Sequence, residues 1–185
     1  MPEPEAFEVY PLSTVVSFWA ISLLGYAAGL ILLYMVWPPF ALVFLVYLFG
    51  LELFAYREGC ASCYYYGKRC FSARGSVAGS MFRRRDPGRF CERKVDWKSL
   101  LPQILLMIIP IGAGIYLLTG GFSWPVIVLM LIPPVLWFAG NPTIYGRLGC
   151  PHCKQGRICC PANDFFGKKV QEDRGSPGPR PTAID

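Results

Sequence analysis

Hydrophobic positions in this chain gather into four long runs, with polar and charged residues confined to the stretches between and after them. The runs are Thr14 to Trp37, Phe40 to Tyr56, Leu100 to Leu118 and Trp124 to Gly140. A helix of about 20 apolar residues crosses a bilayer. The first run is long enough to span with some tilt, and the second and fourth lie near the short limit. The second carries one acid, Glu52. The pattern predicts an all-α integral membrane protein whose four transmembrane helices form two hairpins, 14–56 and 99–140, with turns at 37–40 and 119–123. Proline is tolerated in such helices because neighbouring helices satisfy the freed carbonyls, and kinks are expected at Pro110 and Pro133. The N-terminal segment 1–13 holds three glutamates and no basic residue, which is not the pattern of a cleaved signal. Thr14 to Trp37 is therefore expected to be a retained span.

The polar stretches contain a pattern that occurs twice, 90 residues apart. Gly50, Arg57, Gly59, Cys60, Cys63 and Cys70 are matched by Gly140, Arg147, Gly149, Cys150, Cys153 and Cys160. Each copy follows an apolar hairpin, so the chain reads as an internal duplication of a hairpin plus a cysteine knuckle. The two hairpin turns miss each other by about seven residues when the cysteines are aligned, so the knuckles read as duplicated, whereas the helices have diverged or arose separately. Between the copies, residues 71–82 are rich in small side chains and suit a short helix or an irregular turn. Asp86-Pro87-Gly88 suits the tip of a basic turn. Residues 168–185 have the composition of a disordered tail.

At 54% hydrophobic and 16% charged residues, the chain has too little polar surface for a soluble domain of 185 residues. Its charge then fixes an orientation. Of 18 Lys and Arg residues, eleven fall between Arg57 and Lys98 and seven between Arg147 and Arg180, and the two hairpin turns have none. The positive-inside rule puts the basic loop 57–98 and the C-terminal segment in the cytoplasm. The net charge of +6 thus reports topology first. On that reducing face, clustered cysteines serve metal or redox centres more often than structural disulfides.

All eight cysteines lie outside the spans, and with the single histidine they form the candidate metal-ligand set: Cys60, Cys63, Cys70, Cys91, Cys150, Cys153, Cys159, Cys160 and His152. A C-x2-C knuckle offers two thiolates to one ion, and a tetrahedral zinc site needs four ligands. Two arrangements follow. Cys60 and Cys63 can join Cys150 and Cys153 on one shared zinc. Alternatively, Cys60, Cys63, Cys70 and Cys91 hold one ion, while Cys150, Cys153 and Cys160 hold another with Cys159 or His152. Adjacent Cys159 and Cys160 rarely serve one small ion, so His152 is then the fourth ligand or Cys159 a free thiol. An iron–sulfur cluster competes for the same sulfurs: Cys150-Pro151 and Cys160-Pro161 echo cluster motifs, although the spacing C-x2-C-x5-C-C differs from theirs. A soft-metal transporter or sensor is a third reading, the transport path thinly supported by Glu52, Gln103, Met35, Met107 and Met130 in the spans.

The remaining signals have plain explanations beside functional ones. Tyr64-Tyr65-Tyr66 and Phe165-Phe166 follow the knuckles and would cover the site or contact a partner. Arg83-Arg84-Arg85, with Arg89, Arg93 and Lys94, are a topogenic signal or bind anionic headgroups. Gly25 and Gly29 suit a close helix contact. Glu52 reaches the interface or pairs with Arg57, and a nucleic-acid role has only basic charge behind it. The chain shows no Ser/His/Asp set, phosphate loop or paired carboxylates, which argues against a hydrolase or kinase. The favoured expectation is a non-enzymatic, zinc-binding membrane subunit whose small cytoplasmic cysteine cap docks a protein partner or a second copy of the chain. The metal would fold a cap too small to bury a core.

Overall fold

The computed structural model describes residues 5–92 and 97–160. Phe165-Phe166, Arg93, Lys94 and the tail 168–185 lie outside the described residues. In chain order the helices are α1 (Leu12–Val36), α2 (Pro38–Phe54), α3 (Arg74–Met81), α4 (Gly88–Cys91), α5 (Trp97–Thr119), α6 (Trp124–Val135), α7 (Asn141–Thr143) and α8 (Lys154–Ile158). Among the described residues the only β-type pairing is an isolated bridge between Phe7 and Cys153. The chain divides into two compact units: Val16–Ala55 with Asp96–Asn141, and Met1–Val15 with Tyr56–Val95 and Pro142–Asp185.

The first of these is built from the apolar runs. Four helical segments are long and apolar enough to cross a membrane: Leu12–Val36, Pro38–Ser62, Leu100–Thr119 and Trp124–His152. The second and fourth, short by sequence, reach 25 and 29 residues because helix of a different pitch carries them past the predicted ends. Large apolar side chains such as Leu24, Val43, Ile108 and Val128 stay exposed along all four. Exposed apolar surface of that extent belongs against lipid rather than water, so the chain is a multi-pass membrane protein.

Packing within this unit uses small residues and a few polar contacts, as expected where lipid removes the hydrophobic drive for helix association. Leu32 and Leu33 of α1, Phe44 and Leu48 of α2, Ala113 of α5 and Val126 of α6 form one buried cluster. Gly29 lets the helices close up: a Cβ there would sit 3.0 Å from Pro110 Cγ and 3.2 Å from Phe44 Cε1. The Tyr47 hydroxyl donates to the Pro102 carbonyl at 2.7 Å, and the Tyr26 hydroxyl to Glu52 Oε1 at 3.3 Å.

The prolines behave differently from one another. α5 continues through Pro110, which is fully buried. After Pro133-Pro134 the helix widens from α to π pitch over Leu136–Gly140. Two successive residues without an N–H leave the carbonyls four positions back without their helical donors, and a π turn is one way the ladder resumes.

The second unit is small and rich in turns. Tyr10, Tyr65 and Cys70 are its buried nucleus, with Phe7, Cys63, Tyr64, Phe71 and Cys153 packed around them. The small-residue stretch forms α3, which approaches so closely that a Cβ on Gly75 would lie 2.2 Å from the Tyr65 carbonyl oxygen. At the basic turn the Gly88 N–H donates to Asp86 Oδ1 at 2.9 Å, the Asx-turn bond that the sequence favours there.

Candidate metal centre

Both knuckles are built in the same way. Ala55–Gly59 and Ile144–Gly149 are π-helical, and each leads into a 3-10 turn, Cys60–Ser62 or Cys150–His152. Gly59 and Gly149 hold nearly the same backbone angles, φ −86°, ψ −64° and φ −95°, ψ −73°. The turns close through Cys63 N–H to the Cys60 carbonyl at 3.3 Å and Cys153 N–H to the Cys150 carbonyl at 3.2 Å. The backbone then extends, which turns following amides back towards sulfur. The Tyr65 N–H points at the Cys63 sulfur, and those of Gln155 and Gly156 at the Cys153 sulfur. Such N–H groups stabilise the thiolate form that binds metal.

The two knuckles also bond to each other reciprocally. The Tyr64 N–H donates to Gln155 Oε1 at 2.7 Å, and the Lys154 N–H donates to the Tyr65 hydroxyl at 3.1 Å. At the 90-residue offset, 64 corresponds to 154 and 65 to 155. Each copy therefore gives an equivalent amide to the equivalent next side chain of the other, the reciprocity of an isologous contact.

This brings six cysteines besides Cys91 and Cys159 into one unit: Cys60, Cys63, Cys70, Cys150, Cys153 and Cys160. Burial pushes the Cys63 thiol up to about 12, the Tyr65 N–H opposes that rise, and Cys153, Cys60 and Cys70 add to it. Burial likewise raises Cys150 to about 12, with further contributions from Cys153 and Cys160. Cys153 is raised by burial, opposed by the Gly156 and Gln155 amides and reinforced by Cys160 and Cys70. Neighbouring thiols that raise one another resist carrying several negative charges together, and a dication would remove that opposition. Cys70 is 8% exposed and its sulfur meets the Ser72 hydroxyl at 3.4 Å and the Gly75 N–H at 3.5 Å.

The other candidate ligands are placed differently. Cys91 and Cys159 are joined as a disulfide with a Cα separation of 5.3 Å, so Cys159, expected as a ligand or a free thiol, is paired. The His152 ring stacks on Phe7 with centroids 4.5 Å apart, and its Nδ1 lies 2.8 Å from the Glu5 carbonyl oxygen. With Nδ1–H directed at that carbonyl, Nε2 is the nitrogen left to ligate. Among the described residues, no three Cys, His, Asp or Glu side chains gather closely enough to hold an ion as they stand.

Sequence reasoning missed the N-terminal strap. Phe7 N–H donates to the His152 carbonyl and Tyr10 N–H to the Arg69 carbonyl, both at 3.0 Å. The fully buried Tyr10 gives its hydroxyl to the Gly149 carbonyl at 2.6 Å, and the Tyr65 hydroxyl donates to the Phe7 carbonyl at 2.6 Å. Residues 5–10 thus tie both knuckles. Glu8 completes the strap: its carboxylate accepts from Lys154, Tyr64 and Lys68, which hold its pKa down at about 2. The available signal was Phe7 and Tyr10, two aromatics interleaved with the acids Glu5 and Glu8. Tyr66 instead donates to the Phe82 carbonyl at 2.6 Å. Family models, curated proteins and solved structures provide no match to this chain.

Proposed function

We propose that this protein is a non-enzymatic membrane subunit or scaffold whose two cysteine knuckles share a structural zinc ion, with Cys60, Cys63, Cys150 and Cys153 as ligands. The observation that carries this reading is the reciprocal bonding of two identically built C-x2-C turns, each with amides directed at its inner sulfur. Structural zinc prefers four thiolate or imidazole ligands in a closed tetrahedron. A unit this small gains its stability from the ion. On this reading the four sulfurs of the two knuckles close on one ion, and Cys70 and Cys160 are left outside its ligand set.

On this reading the unit faces the cytoplasm, because every Lys and Arg lies in its two sequence segments or beside them. The two halves derive from duplication of a hairpin and knuckle, and the cysteine-bearing unit docks a protein partner. Exposed Met81, Leu148 and Ile158 support the docking role. The reducing cytosol would keep Cys91 and Cys159 as an adjacent dithiol. An iron–sulfur centre for electron transfer is the second reading, favoured by the six cysteines that the unit holds besides the Cys91–Cys159 pair.

Metal and acid-labile sulfide content of protein purified anaerobically in mild detergent separates these readings. Zinc without sulfide is expected. Iron with matching sulfide would replace the structural role by electron transfer. Membrane-impermeant maleimide should label the cysteines only after cells are permeabilised, and labelling of intact cells would reverse the orientation.

A further inference from the structure

Away from the thiols, the cysteine-bearing unit contains a cavity of about 330 Å3 lined by Arg57, Phe82, Arg83, Arg84 and Arg85. Its wall is held in place at both ends. The Phe82 carbonyl accepts the Tyr66 hydroxyl at 2.6 Å, and the Arg85 N–H donates to the Ala61 carbonyl at 2.9 Å. Glu58 draws in two of the guanidinium groups, Arg85 at 2.8 Å and Arg57 at 3.6 Å. Arg83 and Arg84, between the two fixed ends, are exposed and make no ion pair among the described residues. One carboxylate therefore stands against four guanidinium groups, and the lining itself contains no acid.

We propose that this cavity binds the phosphate of an anionic phospholipid headgroup. Guanidinium forks match phosphate oxygens in pairs, which a bare positive charge does not do. A topogenic signal needs only charge near the membrane, whereas here four arginines line one open pocket whose backbone is held at Phe82 and Arg85. The depth is also right for a lipid. Arg57 lies in the continuous helical segment Pro38–Ser62, three residues past Phe54. At about 1.5 Å per residue that is less than about 5 Å beyond the apolar side chains, within the headgroup layer. A lipid phosphate and a free phosphate share this chemistry, and the depth assigns the lipid. The inference rests on the membrane assignment and is independent of the zinc reading.

The test is lipid retention by the full-length protein in detergent, read by native mass spectrometry with phosphatidylglycerol and phosphatidylcholine as probes and zinc content recorded on the same samples. Each of R83Q and R84Q should weaken phosphatidylglycerol binding about fivefold and the double variant about 25-fold, at about one surface charge each. Phosphatidylcholine binding should not change. R89Q removes an equal charge outside the cavity and should change binding by less than about twofold. R83K/R84K keeps the charge without the fork and should fall between native protein and the double glutamine variant. Equal losses in R84Q and R89Q would reduce the site to diffuse charge and overturn the proposal. So would equal retention of the two lipids by the native protein. Displacement of the lipid by millimolar inorganic phosphate would overturn the lipid assignment in favour of a soluble ligand.

Discussion

The two knuckles share a backbone but not a means of support. Around Cys60 and Cys63, support comes largely from packing: Tyr65 is 1% exposed, its ring lies 5.6 Å from that of Tyr10, and Cys70 is sealed beneath α3. Around Cys150 and Cys153, the residue equivalent to Tyr65 is Gln155, also buried, which works through hydrogen bonds. Its side chain accepts from the Tyr64 N–H at 2.7 Å and donates to the Cys159 carbonyl at 2.9 Å. A C-x2-C turn thus specifies its own geometry and leaves its surroundings open to different side chains. The two surroundings are complementary, since an aromatic hydroxyl from one copy and an amide from the other bridge the pair.

The strongest way to break the comparison is to remove what both knuckles share. Tyr10 meets the second knuckle through Gly149 and the first through Arg69, whose Nε donates to its carbonyl at 2.8 Å. Tyr10→Ala should destabilise the cysteine-bearing unit by about 3–5 kcal/mol, seen as a large fall in the temperature at which buried thiols become reactive to a maleimide dye. An unchanged temperature would show that the strap is dispensable. Next come the bridging residues. Gln155→Leu strands a buried N–H and a carbonyl and should cost about 2–3 kcal/mol. Tyr65→Phe keeps the ring and should cost about 1–2 kcal/mol. A larger loss from Tyr65→Phe would reverse the assignment of packing to one knuckle and hydrogen bonding to the other. With Cys91 and Cys159 reduced, as in the cytosol, Cys159→Ser should have the smallest effect, with metal content unchanged. Loss of metal in that variant would make Cys159 a ligand.

Much of this organisation is written in short-range pattern. Runs of apolar residues give the four spanning helices because a bilayer demands uninterrupted apolar length. The repeated Gly-Cys-x2-Cys gives the turn because its bonds are local. The helix ends were less legible. Gly140 read as the end of the fourth span, yet the chain continues past Pro142 through α7 and π turns to Gly149. Proline early in a helical turn loses little, and π pitch absorbs the remaining mismatch. The strap escaped for a different reason. Tyr10 to Gly149 and Tyr65 to Phe7 are bonds to backbone carbonyls, 139 and 58 residues apart in sequence. No periodicity encodes a side chain whose partner is a distant carbonyl. The pairing of Cys91 with Cys159 was hidden likewise, since cysteine spacing alone does not fix connectivity.

The central claim is that one ion joins two knuckles, and metal stoichiometry in Cys60→Ser, Cys150→Ser and the double variant tests it most directly. A shared site predicts that each single variant loses the same zinc ion and that the double variant loses no more than either. Losses that differ between the singles, or that add in the double variant, would mean that each knuckle holds its own metal and would contradict the account.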